Sequence, residues 1–594
     1  MAIKIILLIF FCGYGFTSIF LPKTLRRGGL LWLSFWFGTI IIALLGIFFS
    51  LAKIPMNEAK YIIIFLSGLA WVYSLYKKKI SFYFSKETAL ISFLTTVIIV
   101  FNLYPLVIKA GFPTTISLSN LDPISYNMVS DFFTKGTVLQ GKELIPYKPY
   151  LWAVGDLVHN GFRWGSPMIL SFFANVFNVR SYQIFSIILT LFFAFTYPLV
   201  YFLAKILVRS KTKYLAILIF LTYGMNSTLL YMLYNVFFAQ IIFSGIFLLI
   251  LVLMVSYLGE IKKTNTNFNS FDFLIALSLA ALSSIYPEGI SFILIPWALF
   301  LLYKLTTKER LIYLIIFGKI SLLILLINPM SLGTAIIWNF KVLLNTTKTV
   351  WIGWEKIRYA SPFEMMGFYN LYFSRNLPVL VNLIIGIPII ALWVAGFLKI
   401  KERIFIFFHL TIFLIFYFVY KFIFPNYYTY FKAITYSLFF YSILFSIGLE
   451  YFINLFKNKI FLTVIIIIIF ILSLRSAYRT IYQLYYHPRI VDRSLVSLES
   501  LNNNKKILEP FFTADVFLGE YDLWKRLWRE YLLMDKNIVT QQNINQEDIN
   551  KKNISYVLAE KDFLNYLEKK LIFKNIIWQN KFYQLGEVKN EKSF

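Results

Sequence analysis

Basic residues fall in every second connection between the apolar segments of this chain, and that alternation limits its fold more than any single motif. Crossing a bilayer core takes roughly 20 apolar residues in a helix. About fourteen segments meet that need: 2–21, 30–51, 61–76, 88–108, 182–206, 214–232, 235–258, 271–286, 289–305, 311–328, 379–398, 404–424, 434–456 and 459–475. Taken alternately, one set of connections holds Lys23, Arg26 and Arg27; Lys77, Lys78 and Lys79; Arg209, Lys211 and Lys213; Lys262 and Lys263; Lys304, Lys308 and Arg310; Lys399, Lys401 and Arg403; and Lys457 with Lys459. The other set comprises the short links 52–60, 233–234, 287–288 and 425–433 and the long pieces 109–181, 329–378 and 476–594. Cytoplasmic connections collect Lys and Arg. The N-terminus, both long loops and the C-terminal tail are therefore expected on the extracytoplasmic face of a cell (inner or plasma) membrane. The first segment does not read as a cleaved signal peptide, because its basic cluster follows the apolar run.

Composition agrees with a polytopic α-helical membrane protein: 59% of the 594 residues are hydrophobic and 14% charged. The net charge of +28 fits topogenic loops better than nucleic acid, which is not expected as a partner. Cys12, the single cysteine, lies in an apolar run, and three histidines without a His-Glu-x-x-His spacing argue against a thiolate or histidine metal centre. Gly13 and Gly15 lie inside one apolar segment and Gly318-Lys319 inside another, so neither has the strand–loop–helix context of a phosphate-binding loop. The basic connections are too short to build a nucleotide-binding domain. Any activated substrate must then reach the outer face within the membrane, on a lipid.

The outer pieces carry the candidate chemistry. Asp122-Pro123 reads as a helix start with Asp122 as N-cap and Pro123 at the first helical position. Ile124, Met128, Val129, Phe132 and Phe133 then share one face, and Asn127, Ser130, Asp131 and Thr134 the other. Such a helix suits the interface plane, apolar side down. Ser166-Pro167 opens a second short helix, and Ser361 with Glu364 forms a capping-box pattern that accounts for Glu364 structurally. In the tail, 521–534 is expected as an amphipathic helix with Trp524, Leu527, Trp528, Tyr531 and Leu532 inward and Lys525, Arg526 and Arg529 outward. Residues 554–558, 572–578 and 582–585 read as strands, so 476–594 is expected as a small α/β domain. Lys319 falls inside a span, where an ionisable group is expensive and defaults to a functional reading, with a shifted span boundary or a carbonyl partner as the alternatives. His409, deep in another, reads as a hydrogen-bonded packing residue.

A long first external loop with an early acid (Asp122), Arg163-Trp164-Gly165-Ser166-Pro167 leading to the next span, Tyr286-Pro287-Glu288 at an outer hairpin and Tyr428-Thr429-Tyr430-Phe431-Lys432 before a span make the chain resemble the GT-C superfamily. These are membrane glycosyltransferases fed by polyprenyl-phosphate sugars, among them protein O-mannosyltransferases and the aminoarabinose transferase of lipid A. The resemblance covers roughly 88–475 and implies a GT-C-like core there, preceded by accessory helices in 1–87. The paired acidic motifs of that superfamily, Asp-Glu or Asp-x-Asp, are absent, which leaves a divalent metal an open question. By this resemblance Asp122 is expected to be the catalytic base that takes the acceptor proton. Lys432, Arg163 and Arg358 are expected at the donor phosphate, with Glu288 and Tyr126 in substrate binding. Asp131, Glu143, Asp156 and His159 are candidates to complete a metal or sugar site. The implied partners are a polyprenyl-phosphate-linked sugar, a glycan, lipid or protein acceptor, and the bilayer. Two rival readings remain: a lipid-linked-glycan flippase or other transporter, and an O-antigen polymerase or ligase.

Overall fold

The computed structural model describes every residue except 81–84, 119, 144–150, 160–162, 209–212, 262–267, 346–358, 457–458, 502–505, 511–519, 537, 542–545, 562–570, 572 and 590–594. The membrane part runs through α1 (Ala2–Phe20), α2 (Lys23–Leu51), α3 (Met56–Tyr76), α4 (Lys86–Ala110), α5 (Asp122–Lys135), α6 (Val138–Glu143), α7 (Trp152–Val154), α8 (Gly165–Phe177) and α9 (Ser181–Leu207). It continues with α10 (Leu215–Ile219), α11 (Ser227–Tyr234), α12 (Phe238–Glu260), α13 (Ser270–Ile285), α14 (Ser291–Leu305), α15 (Arg310–Ile327), α16 (Pro329–Asn345) and α17 (Pro362–Met365). It ends with α18 (Val379–Lys399), α19 (Arg403–Phe418), α20 (Tyr427–Phe456) and α21 (Lys459–Tyr486). The protein is a multi-pass helical membrane protein.

Among the described residues twelve helices are long and apolar enough to cross a bilayer, and a thirteenth span results if Leu215–Gly224 and Ser227–Tyr234, bent by 49° at their junction, count as one. Of the fourteen expected segments, α13 is the one that this length test leaves out. That helix has 16 residues, about 24 Å at 1.5 Å per residue, and falls short of a hydrocarbon core of about 30 Å. Its first turn holds Asp272, fully buried, which accepts from Tyr257 OH at 2.8 Å and from Lys319 Nζ at 2.6 Å. Lys319, midway along α15, therefore has a carboxylate as its partner.

Contacts at the helix ends sort the connections into two groups. At one end Val208 bridges Ile400, Lys401 N–H donates to the Leu207 carbonyl, Lys205 pairs with Glu87, and the Lys213 N–H reaches Glu450. At the other, Ile116 pairs with Ile490, Arg163 meets Glu288, Asn339 donates to the Pro287 carbonyl, and the Tyr430 hydroxyl accepts from the Ala360 N–H. The stretches around Glu87, Leu207, Lys213, Ile400 and Glu450 thus meet at one end, and described parts of both long loops and of the tail meet at the other.

Helices α9, α12 and α20 are almost wholly enclosed, while α3, α15 and α18 turn most of their apolar surface outward to lipid. α18 and α20 touch backbone to backbone. A Cβ on Gly396 would overlap the Leu444 carbonyl, and one on Gly448 the Leu392 carbonyl. Small residues are what permit that approach where lipid offers no hydrophobic drive.

The tail holds α22 (Arg493–Val496), α23 (Glu520–Leu532) and α24 (Gln546–Lys552) with two sheets. β1 (Ile116–Ser117), from the first loop, pairs antiparallel with β2 (Arg489–Ile490). β3 (Ile507–Pro510), β4 (Ile538–Gln541), β5 (Tyr556–Glu560), β6 (Phe573–Gln579) and β7 (Tyr583–Val588) form a five-stranded sheet of order β4-β3-β5-β7-β6. The three expected strands are present, and β3 and β4 are additions. On α23, Trp524, Trp528, Tyr531 and Leu532 are buried as expected, but Arg529 is buried too. Its guanidinium pairs with Glu509 on β3, so a charge read as outward is turned in by a partner distant in sequence. The Ser361–Glu364 capping box forms, and His409 Nδ1 bonds the Phe405 carbonyl at 3.0 Å.

Candidate active site

Asn120 prepares the start of α5. Its Oδ1 accepts from the Asp122 N–H at 3.1 Å, and its Nδ2 donates to the Asn235 carbonyl at 2.9 Å. The expected cap, Asp122, is instead the first helical residue, and the residue before it, Leu121, offers no side-chain cap. The correction has a local cause: asparagine two positions upstream takes the amide in an Asx-type turn. The Asp122 carboxylate is left half-buried and, among the described residues, accepts no hydrogen bond. A second correction concerns the helix as a whole. Asn127 and Ser130 are as buried as Ile124 and Phe133, so α5 lies inside the protein instead of on the interface.

One turn beyond Asp122, the buried Tyr126 hydroxyl accepts from Arg163 Nη1 at 2.9 Å. Arg163 has φ 53°, a left-handed backbone that costs a non-glycine residue on the order of 1–3 kcal/mol. Its contacts hold it there. Nε donates to Glu288 Oε2 at 3.4 Å, Nη2 to Glu288 Oε1, and the guanidinium lies 5.1 Å from the centre of the Tyr286 ring. Burial alone would depress the Arg163 pKa; Glu288 and the nearby phenols more than offset this and hold it well above its ordinary value. Burial likewise raises Tyr126, against the opposing effect of Arg163. Glu288 sits in the tight 3-10 turn Pro287–Ile290 between α13 and α14, with its side chain 10% exposed. It is a buried counter-charge to Arg163 and not a solvated turn residue.

Lys432 enters from the second turn of α20 and is 8% exposed. Its Nζ lies 4.1 Å from the Tyr428 ring centre and 5.4 Å from that of Tyr286. Asp122, Glu288 and Arg163 all act on it electrostatically, yet no carboxylate among the described residues is within ion-pair distance of it. Gln240, in the first turn of α12, donates to Tyr428 OH at 2.7 Å, while its Oε1 is buried without a partner. Sequence reading missed Gln240 and Asn120; their signal was a polar amide beside the outer link 233–234 or at the mouth of the loop.

Asp122, Tyr126, Arg163, Glu288 and Lys432, expected from four separate stretches, therefore belong to one cluster with two acids and two bases. Arg358 and the Glu143, Asp156 and His159 side chains lie outside the described residues. Asp131 is not part of the cluster: it bonds Arg180, Ser181 and Tyr531. Among the described residues no three His, Cys, Asp or Glu side chains come together as a metal-binding group. Chemically, the cluster offers a carboxylate free to take a proton, an ammonium free to face one negative charge, and an ion pair that fixes the walls between them.

No protein-family model matches the chain, and no curated protein matches it. Among solved structures it is similar to the oligosaccharyltransferase of Archaeoglobus fulgidus in its apo form, with a TM-score of 0.45 and 12% identity over 80% of this chain and 69% of that one. A likeness that loose assigns no role to any residue.

Proposed function

We propose that the chain is an integral membrane glycosyltransferase with a GT-C-like core, moving one sugar from a polyprenyl-phosphate donor to an acceptor hydroxyl on the extracytoplasmic face. The observation that carries the reading is the pairing pattern in the cluster: Arg163 is paired with Glu288, whereas Lys432 and Asp122 have no ion-pair partner among the described residues. One ammonium suits the single negative charge of a sugar phosphodiester. A pyrophosphate donor, such as a glycan ligase would use, brings more charge than Lys432, the one cation of the cluster without an ion-pair partner among the described residues, would balance.

In the proposed reaction Asp122 accepts the proton of the acceptor hydroxyl, for which it must come within about 2.6–3.2 Å. The acceptor oxygen attacks the anomeric carbon from the side opposite the leaving group. A new C–O bond forms as the old bond to the phosphate oxygen breaks, so the configuration inverts. The electron pair departs on the polyprenyl phosphate, whose added negative charge Lys432 stabilises. Tyr126 and the Arg163–Glu288 pair hold the base and the phosphate site in register.

The test compares surface glycans by mass spectrometry in cells with the gene, without it, and complemented with Asp122→Asn. A monosaccharide missing in both the deletion and the Asp122→Asn strain supports the reading. Full glycosylation by a well-folded Asp122→Asn protein excludes Asp122 as base. Lipid-linked glycan crossing proteoliposomes without bond cleavage would favour the transporter instead.

A further inference from the structure

We infer that the C-terminal domain positions Asp122, through two attachments that bracket it, and that Asp131 and Tyr531 are positioning residues. This rests on the role proposed for Asp122 above. The first attachment lies just upstream of α5. Ile116 and Ser117 pair with Ile490 and Arg489, the Thr114 hydroxyl donates to the Val491 carbonyl at 2.7 Å, and the Val491 N–H donates to the Thr115 carbonyl at 3.2 Å. The second lies near the far end of α5. Asp131 Oδ2 accepts from Tyr531 OH at 2.6 Å and from Arg180 Nε at 2.9 Å, while Oδ1 accepts from the Ser181 N–H at 3.0 Å and from its hydroxyl.

Arg180 ties the latch together. Nη1 donates to Glu499 Oε1 at 2.7 Å and to the Leu532 carbonyl at 3.4 Å, and Nη2 donates to the Tyr531 carbonyl at 3.3 Å. The arginine thus closes the C-terminal end of α23, where carbonyls lack helical partners and positive charge is favoured. Its guanidinium also stacks 4.6 Å from the Tyr531 ring centre. Ser130 adds a hydroxyl contact to Ser181 at 2.6 Å. Between the two attachments stands one continuous helix whose first residue is Asp122. Nine positions separate Asp122 from Asp131, about 14 Å of α-helix, too short a strut to bend without a break.

An uncapped carboxylate needs such bracing, because none of its own bonds fixes it. The domain beyond the last span supplies the constraint from outside the membrane, at both ends of the segment that presents the base. The α/β domain is then part of the site's geometry without touching the reacting atoms.

The test uses the full-length protein in lipid nanodiscs and two variants, Tyr531→Phe, which deletes one hydroxyl, and Asp131→Asn. Amide exchange over 114–131 should speed up in both, with α12 unchanged. In complemented cells Tyr531→Phe should lower product about 10-fold to 100-fold, since misplacement by about 1 Å can cost about 10²-fold. Placed on an Asp122→Asn background, Tyr531→Phe should cause no further loss, whereas a general folding defect would add its own. Unchanged exchange over 114–131, or full additivity with Asp122→Asn, overturns the inference. Faster exchange there together with an active Asp122→Asn protein would keep the brace and remove only the assignment of Asp122 as base.

Discussion

Neutralising Glu288 should weaken the fold and tighten the grip on an anionic lipid at the same time. The side chains of Arg163 and Glu288 are 12% and 10% exposed, so Glu288→Gln leaves a guanidinium buried beside an amide. Removing one partner of a buried pair costs about 3–5 kcal/mol. Glutamine retains one acceptor for Arg163, which places the expected loss at the lower end, about 3 kcal/mol. Arg163→Met strands the carboxylate instead and should cost a similar amount. The double variant Arg163→Met/Glu288→Gln strands neither charge, so its cost should fall short of the sum by about 2–3 kcal/mol. For the lipid, deleting a negative charge about 8 Å from a phosphate at an effective dielectric of about 20 gains about 2 kcal/mol, or about 30-fold in affinity. Unfolding midpoints in detergent give the first set of values, and polyprenyl phosphate binding to nanodisc-embedded protein gives the second. Singles that add within about 0.5 kcal/mol, or weaker lipid binding by Glu288→Gln, would refute the assignment of Glu288 as the neutralising partner.

Three further outcomes follow from the packing. Lys432→Met should weaken polyprenyl phosphate binding by about 1.5–3 kcal/mol, the scale of a charge-assisted bond, with Lys432→Arg retaining most of it in the same assay. Lys319→Met should destabilise by about 3–5 kcal/mol by stranding Asp272 inside the helix bundle, and adding Asp272→Asn should recover part of that loss in detergent unfolding. Gly396→Val should lower the unfolding temperature by forcing α18 away from α20, an overpacking cost of about 1–3 kcal/mol, while Gly318→Val, which meets nothing within 4 Å, should leave it unchanged.

Much of the architecture was legible because charge and hydropathy act locally. The alternation of basic clusters puts 399–403 and the residues after Lys205 in one group and 109–181, 287–288 and 329–378 in the other, and contacts such as Val208–Ile400 and Arg163–Glu288 fall within those groups. Tertiary partners were not legible. α13 was counted as a full span because Asp272, near its start, carries no sequence mark of its pairing with Lys319. Arg529 was read as outward because helical periodicity knows nothing of Glu509 on β3. At the site, the GT-C resemblance together with an expected outer location singled out Asp122, Tyr126, Arg163, Glu288 and Lys432, which the fold gathers. What decides how Asp122 stands is Asn120, a neighbour whose side chain competes for the same amide. Short β3 and β4 escaped because four residues carry too little period to register.

The pairing of β1 with β2 also fixes when the molecule can become complete. The Thr114–Val491 bond spans 377 positions, and at synthesis rates of about 5–20 residues per second its two halves leave the ribosome roughly 20–75 s apart. During that interval the first long loop waits, with α5 held by Arg180 and Ser181 at its far end but by neither β2 nor Tyr531, while the later helices are made. A nascent chain stalled after α20 would thus present a full set of cluster residues without the brace around them. The bracing of α5 arises late in synthesis, from residues that follow α21.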